Sequence, residues 1–402
     1  MSEQQPPRRL TRKELLRRNK KIAKRRQQRL TVIVVALTVF MVYITGLFST
    51  SIAYLGDFVS SAGVYLQFGE GFPVNIENQT YRQSEKMGSA LCVLDSEKLS
   101  FYSPTGDLVH SYYHSMQNPV ISASTKRVAI YNAGDTSLKI ANAANIMFSK
   151  EMENDIIHAS LGSNNWVAVT GKSQSYNGEV TVFDSKMQER MTWKSAKAFP
   201  LQAFLSPKAH TLAVSCISAK DGKTVSEVYI IDTVTGEEKY ICSNGEIIML
   251  GAEFVREDSL VLFFTDRAVC INITAENGVS EYAEYSYNGR QLLSYDIKNS
   301  QIIMALGSYG STENADIAIT DLSLNENFRT EVQHNVKTVV AASQRIYAFG
   351  GDTVSQYTAE GVYITHHEVK NNIKNIVDYN GCVALYSNGM EKLERAKAEK
   401  KS

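Results

Sequence analysis

Cysteine, proline and histidine are scarce in this chain, and each scarcity rules something out. The five cysteines, Cys92, Cys216, Cys242, Cys270 and Cys382, are odd in number and include no C-x-x-C pair. That pattern excludes a disulfide-dense scaffold and the common thiolate zinc spacings. They sit mostly within apolar runs and read as small buried hydrophobes. Seven prolines and 24 glycines in 402 residues exclude collagen-like and low-complexity chains. Seven histidines, His110, His114, His158, His210, His334, His366 and His367, make neither an H-E-x-x-H motif nor a Cys/His cluster. His366-His367, near a strand end, reads as exposed and inert. No residue set therefore stands out as catalytic, cofactor-binding or metal-binding, and no cofactor is expected.

Charge is absent altogether from Leu30 to Gly56. The run is long and apolar enough for a helix to cross a hydrocarbon core of about 30 Å. The net formal charge of zero hides a division. Met1 to Arg29 hold twelve Lys/Arg against two Glu, leaving thirty basic and forty acidic residues in the remainder. Basic residues precede the run and the next one after it is Arg82, so the N-terminus is expected in the cytoplasm and the rest outside. A cleaved signal peptide has a shorter apolar core and a small-residue cleavage site. A lipoprotein anchor needs a cysteine just after the run, and the first is Cys92. The expected partners at this end are the bilayer, through Leu30 to Gly56, and anionic lipid head groups at the basic tail; nucleic acid is not expected.

Past Phe68 no long helical period occurs before the charged C-terminus. Short runs rich in Val, Ile, Tyr and Phe recur instead, separated by turn residues every ~8–12 positions, the all-β signature. They repeat at about 40 residues, the length of a four-stranded propeller blade. Three copies are clearest. Ala90-Leu-Cys-Val-Leu94 leads to Leu99-Ser-Phe-Tyr102 and a turn ending at Gly106. Thr211-Leu-Ala-Val-Ser215 and Arg345-Ile-Tyr-Ala-Phe349 lead likewise to turns ending at Gly236 and Gly361. A glycine there suits a position with φ > 0. Weaker copies centre on Arg127–Tyr131, Trp166–Thr170, Leu260–Phe264, Gln301–Ala305 and Cys382–Tyr386. The count is eight, or seven without the Arg127 unit. The last unit lacks a fourth strand, which Phe72-Pro-Val-Asn-Ile76 is placed to supply by closing the ring. Cys92 and Cys382 then lie in neighbouring blades. The expected organisation is a basic tail (1–29), a transmembrane helix (30–56), a stalk or interfacial segment (57–71), an all-β propeller (72–395) and a charged tail (396–402).

Blade patterns such as Leu99-Ser-Phe-Tyr-Ser-Pro-Thr-Gly-Asp-Leu108 resemble WD-repeat-like and quinoprotein-like propellers, without a Trp-Asp dipeptide. The whole arrangement resembles an uncharacterised domain-of-unknown-function family. Its members join a basic tail and one span to an outer propeller in Gram-positive-type bacteria. The resemblance implies a fold and a location and no activity. No sialidase-type Asp box is present, nor the adjacent cysteine pair of quinoprotein dehydrogenases. The segment Asp321-Leu-Ser-Leu-Asn-Glu-Asn327 faintly resembles a calcium loop but lacks the glycine at position six and the acid at position twelve. Two function classes remain. The first is a membrane-tethered propeller acting as a binding or scaffold module in the cell envelope, its partner an unknown envelope protein or glycan. The second is an envelope enzyme or ligand sensor with a site in the propeller channel. Inward carboxylates or histidines at a channel mouth favour the second; an exposed apolar or aromatic patch on one face favours the first.

Overall fold

The structure, a computed structural model, describes residues 71–76, 80–243, 246–274, 278–310, 314–369 and 373–395. The expected basic tail, membrane span and charged C-terminal tail lie outside the described residues, as does all but Gly71 of the expected stalk.

The described chain folds into eight four-stranded antiparallel sheets, each one blade of a ring. Blades 1 to 7 cover residues 83–113, 119–151, 156–195, 199–243, 249–286, 291–331 and 338–368 in chain order. Blade 8 takes three strands from residues 373–392 and its outermost strand, Val74–Asn75, from the start of the domain. Val74 pairs with Met390 and Asn75 with Gly389, so the first residues of the ring complete its last blade, as the sequence suggests. Within each blade the first strand lies innermost and the last outermost.

The sequence rhythm follows from this packing. The second strand of a blade is covered on both faces by neighbouring blades, so it need not alternate polar and apolar residues. Ala90–Leu94, Val128–Asn132, Val167–Gly171 and Cys382–Tyr386 are buried throughout. Alternate side chains serve opposite neighbours. Ala90, Cys92 and Leu94 pack towards blade 2, whereas Leu91 and Val93 pack towards blade 8. Cys382 faces blade 7, so Cys92 and Cys382 occupy adjacent blades and point away from each other. All five cysteines are free thiols. Outer strands such as Leu108–Tyr113 are half exposed and polar.

The Arg127 unit is a full blade. Arg127 is buried and its guanidinium donates to the Ser185 carbonyl of blade 3. The turn glycines Gly106, Gly236 and Gly361 have φ of +97°, +75° and +94°. At Gly106 a Cβ would also meet the Phe72 ring and Val74 of the closing strand at 3.0–3.2 Å.

The turn between third and outer strands carries a repeated cap. Asp321 accepts the N–H groups of Ser323 (2.8 Å) and Asn325 (3.0 Å), and the Asn325 amide donates to its other oxygen at 3.0 Å. Asp184, Asp232 and Asn142 cap the same turn in other blades. The segment that faintly resembles a calcium loop is thus a turn whose aspartate is already occupied. The Asn325 amide and the turn N–H groups hold the Asp321 carboxyl below its ordinary range, against a smaller effect of burial. Asp321→Ala orphans these donors and is expected to lower stability by about 1–2 kcal/mol, measured by denaturant unfolding at pH 7, with Asp321→Asn largely preserving the fold.

Candidate functional site

Inner strands meet at the centre, where side chains of one blade bond to the backbone of the next. Successive side chains on one strand face are two residues apart, and the bonds follow that spacing. Gln83 donates to the Ile121 carbonyl at 2.9 Å and accepts its N–H at 3.0 Å, while Glu85 accepts the Ala123 N–H. Ser122 accepts the Leu161 N–H at 3.0 Å, and Ser160 donates to the Ala203 carbonyl. Between blades 6 and 7, Ser294 and Asp296 accept the N–H groups of Val339 (3.2 Å) and Ala341 (2.7 Å). Lys298 donates to the Ala341 carbonyl at 3.0 Å and also pairs with Asp378 of blade 8, which Lys86 of blade 1 reaches at 3.2 Å.

Register places Glu85, Asp296 and Glu253 at one level of this ring, each opposite the third residue of its second strand: Cys92, Ile303 and Val261. Glu85 and Asp296 are tied to the next blade. Glu253 of blade 5 has no such tie among the described contacts. Its carboxylate borders a cavity of about 420 Å³ at the mouth where inner strands end, with Phe204, Phe254, Pro207, Ser160 and Ser163. Desolvation by the surrounding protein, then the nearby Asp296 charge, push the Glu253 carboxyl up to about 7. The side chain nevertheless reaches solvent, as a group on a channel wall does. Burial alone pushes His158 down to about 4; the ring lies between Tyr131 and Phe204, and its Nδ1 has no hydrogen-bond partner.

This mouth can hold a charge or a proton at Glu253. Among the described residues no three His, Cys, Asp or Glu side chains are grouped to hold a metal. Sequence reading singles out neither Glu253 nor Asp296, because an unpaired carboxylate and a tied one look alike in a strand. The histidine doublet divides: His367 meets the Gln356 amide at 2.9 Å, and His366 is exposed but holds the Tyr363 hydroxyl at 2.7 Å.

The opposite face of the ring, where inner strands begin, is apolar along one arc. Phe199 opens the inner strand of blade 4 and is 54% exposed. Ile248 and Leu250 stand exposed at the start of blade 5. Tyr176 and Tyr309 (83% exposed) lie in the second-to-third strand loops of blades 3 and 6, on that same face. The second-to-third hairpin of blade 4, Thr211–Lys220 with Lys223–Asp232, runs well beyond the start of its inner strand, since Phe199 pairs with Ile217. It projects beside the arc.

Eight blades with inter-blade ties and an N-terminal closing strand define an eight-bladed β-propeller. The chain belongs to the DUF5711 family, a family of unknown function, whose model matches residues 73–394. BamB from Moraxella catarrhalis has a similar structure, with a TM-score of 0.51 at 13% identity over 78% of this chain and 95% of that one. Apo AztD from Citrobacter koseri gives 0.50 at 13% identity, covering 78% and 90%. At such identity the likeness shows the fold alone. No curated protein matches the sequence.

Proposed function

We propose that this propeller is a membrane-tethered binding platform in the envelope of a Gram-positive-type cell, holding a protein partner on the face where inner strands begin. One observation carries the reading: exposed Tyr176, Phe199, Ile248, Leu250 and Tyr309 fall on four consecutive blades of that face. Isolated apolar residues are ordinary on protein surfaces, whereas aromatic and aliphatic residues gathered on one face are the composition of interface cores. The uncharged run at Leu30–Gly56 and the basic tail before it support the tether and its orientation. The propeller's rigidity suits the role, because little ordering entropy is lost when a partner docks on a preformed surface.

The test is in-cell crosslinking of tagged full-length chain, with Phe199→Asp/Tyr309→Ser beside wild type. A dominant envelope protein is expected with wild type. Its recovery is expected to fall by about tenfold or more in the double variant, as for loss of central aromatic anchors. Equal recovery from both chains would sink this face as the docking site. The open carboxylate of Glu253 supports a second reading, a sensor of a small ligand in the channel mouth. That reading requires Glu253→Gln, not the double variant, to change what is captured.

A further inference from the structure

A groove of about 530 Å³ lies along the outer part of the ring between blades 6 and 7. Blade 6 supplies Thr330 and Glu331 to its wall, and the outer strand of blade 7 supplies Tyr363, His366 and Glu368. The Tyr363 ring is 51% exposed, is held by its hydroxyl to His366 Nδ1 at 2.7 Å, and meets Tyr357 edge-on at 5.7 Å. Behind it His334 is fixed at both nitrogens, Nδ1 to the Asn335 carbonyl and Nε2 to the Ser355 hydroxyl, each at 2.7 Å. Burial, opposed by the Asn335 bond and reinforced by His366, keeps His334 below its ordinary range and so neutral at pH 7.

The same protein shows what fills such a groove. Between blades 2 and 3 the equivalent space is about 330 Å³. There Lys150 places its ammonium 5.2 Å from the centre of the Phe183 ring, a cation–π contact. Strand register gives the correspondence. Glu151 pairs with Ser137 and Glu331 with Asp316, so Lys150, one residue earlier, corresponds to Thr330. Lys194 pairs with Glu179 and Glu368 with Thr353, so Lys194 corresponds to Glu368; Phe183 corresponds likewise to Tyr357. The groove between blades 6 and 7 has thus lost both lysines of its counterpart; it keeps Glu331 in the place of Glu151 and has Glu368 in the place of Lys194, while Gln333, Thr353 and Tyr363 stand where the counterpart has Glu153, Glu179 and Glu189. Among the described residues its lining contains Glu331 and Glu368 and no lysine or arginine.

We propose that the groove between blades 6 and 7 binds an organic ammonium ion, which takes the part that Lys150 plays between blades 2 and 3, with Glu331 and Glu368 as counter-charges and the Tyr363 ring as its apolar wall. A lysine side chain, a polyamine and an amino sugar share that chemistry. The experiment titrates purified full-length chain by calorimetry with Nα-acetyl-lysine methylamide, spermidine and glucosamine, and with N-acetylglucosamine as the uncharged control. At least one amine is expected to bind and the control to give no heat; the amine that binds tightest identifies the source. Thr330→Lys restores the internal lysine and is expected to weaken that amine by about tenfold or more, with the melting temperature unchanged. Glu368→Gln, which removes charge without adding bulk, is expected to weaken it comparably. Thr224→Lys makes the same charge change on blade 4 and is expected to leave binding intact. No heat from any amine up to about 10 mM, where the weakest useful affinities lie, overturns the proposal. So does equal weakening by Thr330→Lys and Thr224→Lys, which would mean only diffuse attraction to an acidic domain.

Discussion

Tyr379→Ala is expected to cost about 3–5 kcal/mol of unfolding free energy, the range for truncating a buried aromatic. The residue sits at the seam between blades 8 and 1. Its ring is 2% exposed, and its hydroxyl lies 2.7 Å from the Ser89 carbonyl and 2.8 Å from the Tyr102 carbonyl, both in blade 1. The closing strand itself is only two residues, Val74–Asn75, with one further backbone bond from Ile76 N–H to the Asn388 carbonyl at 2.7 Å. So short a strand contributes few hydrogen bonds, each worth about 1 kcal/mol net. Side chains must therefore hold the seam, and Tyr379 packs there with Leu91, Tyr102, Val383 and Met390. Tyr379→Phe keeps the ring and removes the single O–H proton that the Ser89 and Tyr102 carbonyls share, so its cost is expected at about 1–3 kcal/mol. Denaturant unfolding of the three chains side by side measures both steps. In Tyr379→Ala, limited proteolysis is expected to release the N-terminal closing segment before any other part of the ring. A loss below about 1 kcal/mol for the alanine variant, far under the burial expectation, would show that the seam is held elsewhere.

Most of the fold was legible because of what the ring demands of its strands. Second strands are buried on both faces, so Ala90–Leu94, Thr211–Ser215, Arg345–Phe349 and the five weaker runs stand out as apolar segments whatever their neighbours do. The turn glycines announce themselves for a local reason, positive φ. Ring closure by Phe72–Ile76 could be read because the last repeat was one strand short. The candidate sites are of a different kind. That Glu85 is tied and Glu253 is not depends on how blade 1 meets blade 2 and blade 5 meets blade 6, which no local pattern records. The exchange of Lys150 for Thr330 becomes visible only when outer strands about 180 residues apart are aligned by register, because sequence similarity between outer strands is slight. Exposed Tyr309 and Phe199 look in sequence like any strand or loop aromatic; the face they share is a product of topology.

The ring of tied carboxylates also gives the molecule a pH response. Desolvation pushes the Glu85 carboxyl up to about 7, against the lowering effect of the Ala123 N–H and the Gln83 amide. An acid whose folded pKa exceeds its unfolded value, 4.5 here, keeps in the fold a proton that the unfolded chain releases. Stability therefore falls as pH rises from about 4.5 to 7, and the loss is complete and constant above that window. Its upper bound for Glu85 is on the order of 3 kcal/mol at about 1.4 kcal/mol per pH unit. Glu253 shifts in the same direction, but solvent at its carboxylate screens the interaction and its share is smaller. Histidines oppose them: burial lowers His114, His158 and His334, so each adds stability as pH rises towards about 6.5. The informative quantity is thus the difference between wild type and Glu85→Gln at each pH, in which the histidines cancel. The amide oxygen introduced by Glu85→Gln can still accept the Ala123 N–H. The new amide N–H₂ then faces the Gln83 amide, which donates to Glu85 at 2.7 Å in the native chain, and the lost bond costs about 1 kcal/mol at every pH. Wild type is therefore expected to be the more stable chain at pH 4 and the less stable at pH 8, with the curves crossing between. Parallel curves across that range would mean that Glu85 titrates as an ordinary carboxylate, and that the bonds from Ala123 and Gln83 outweigh its desolvation.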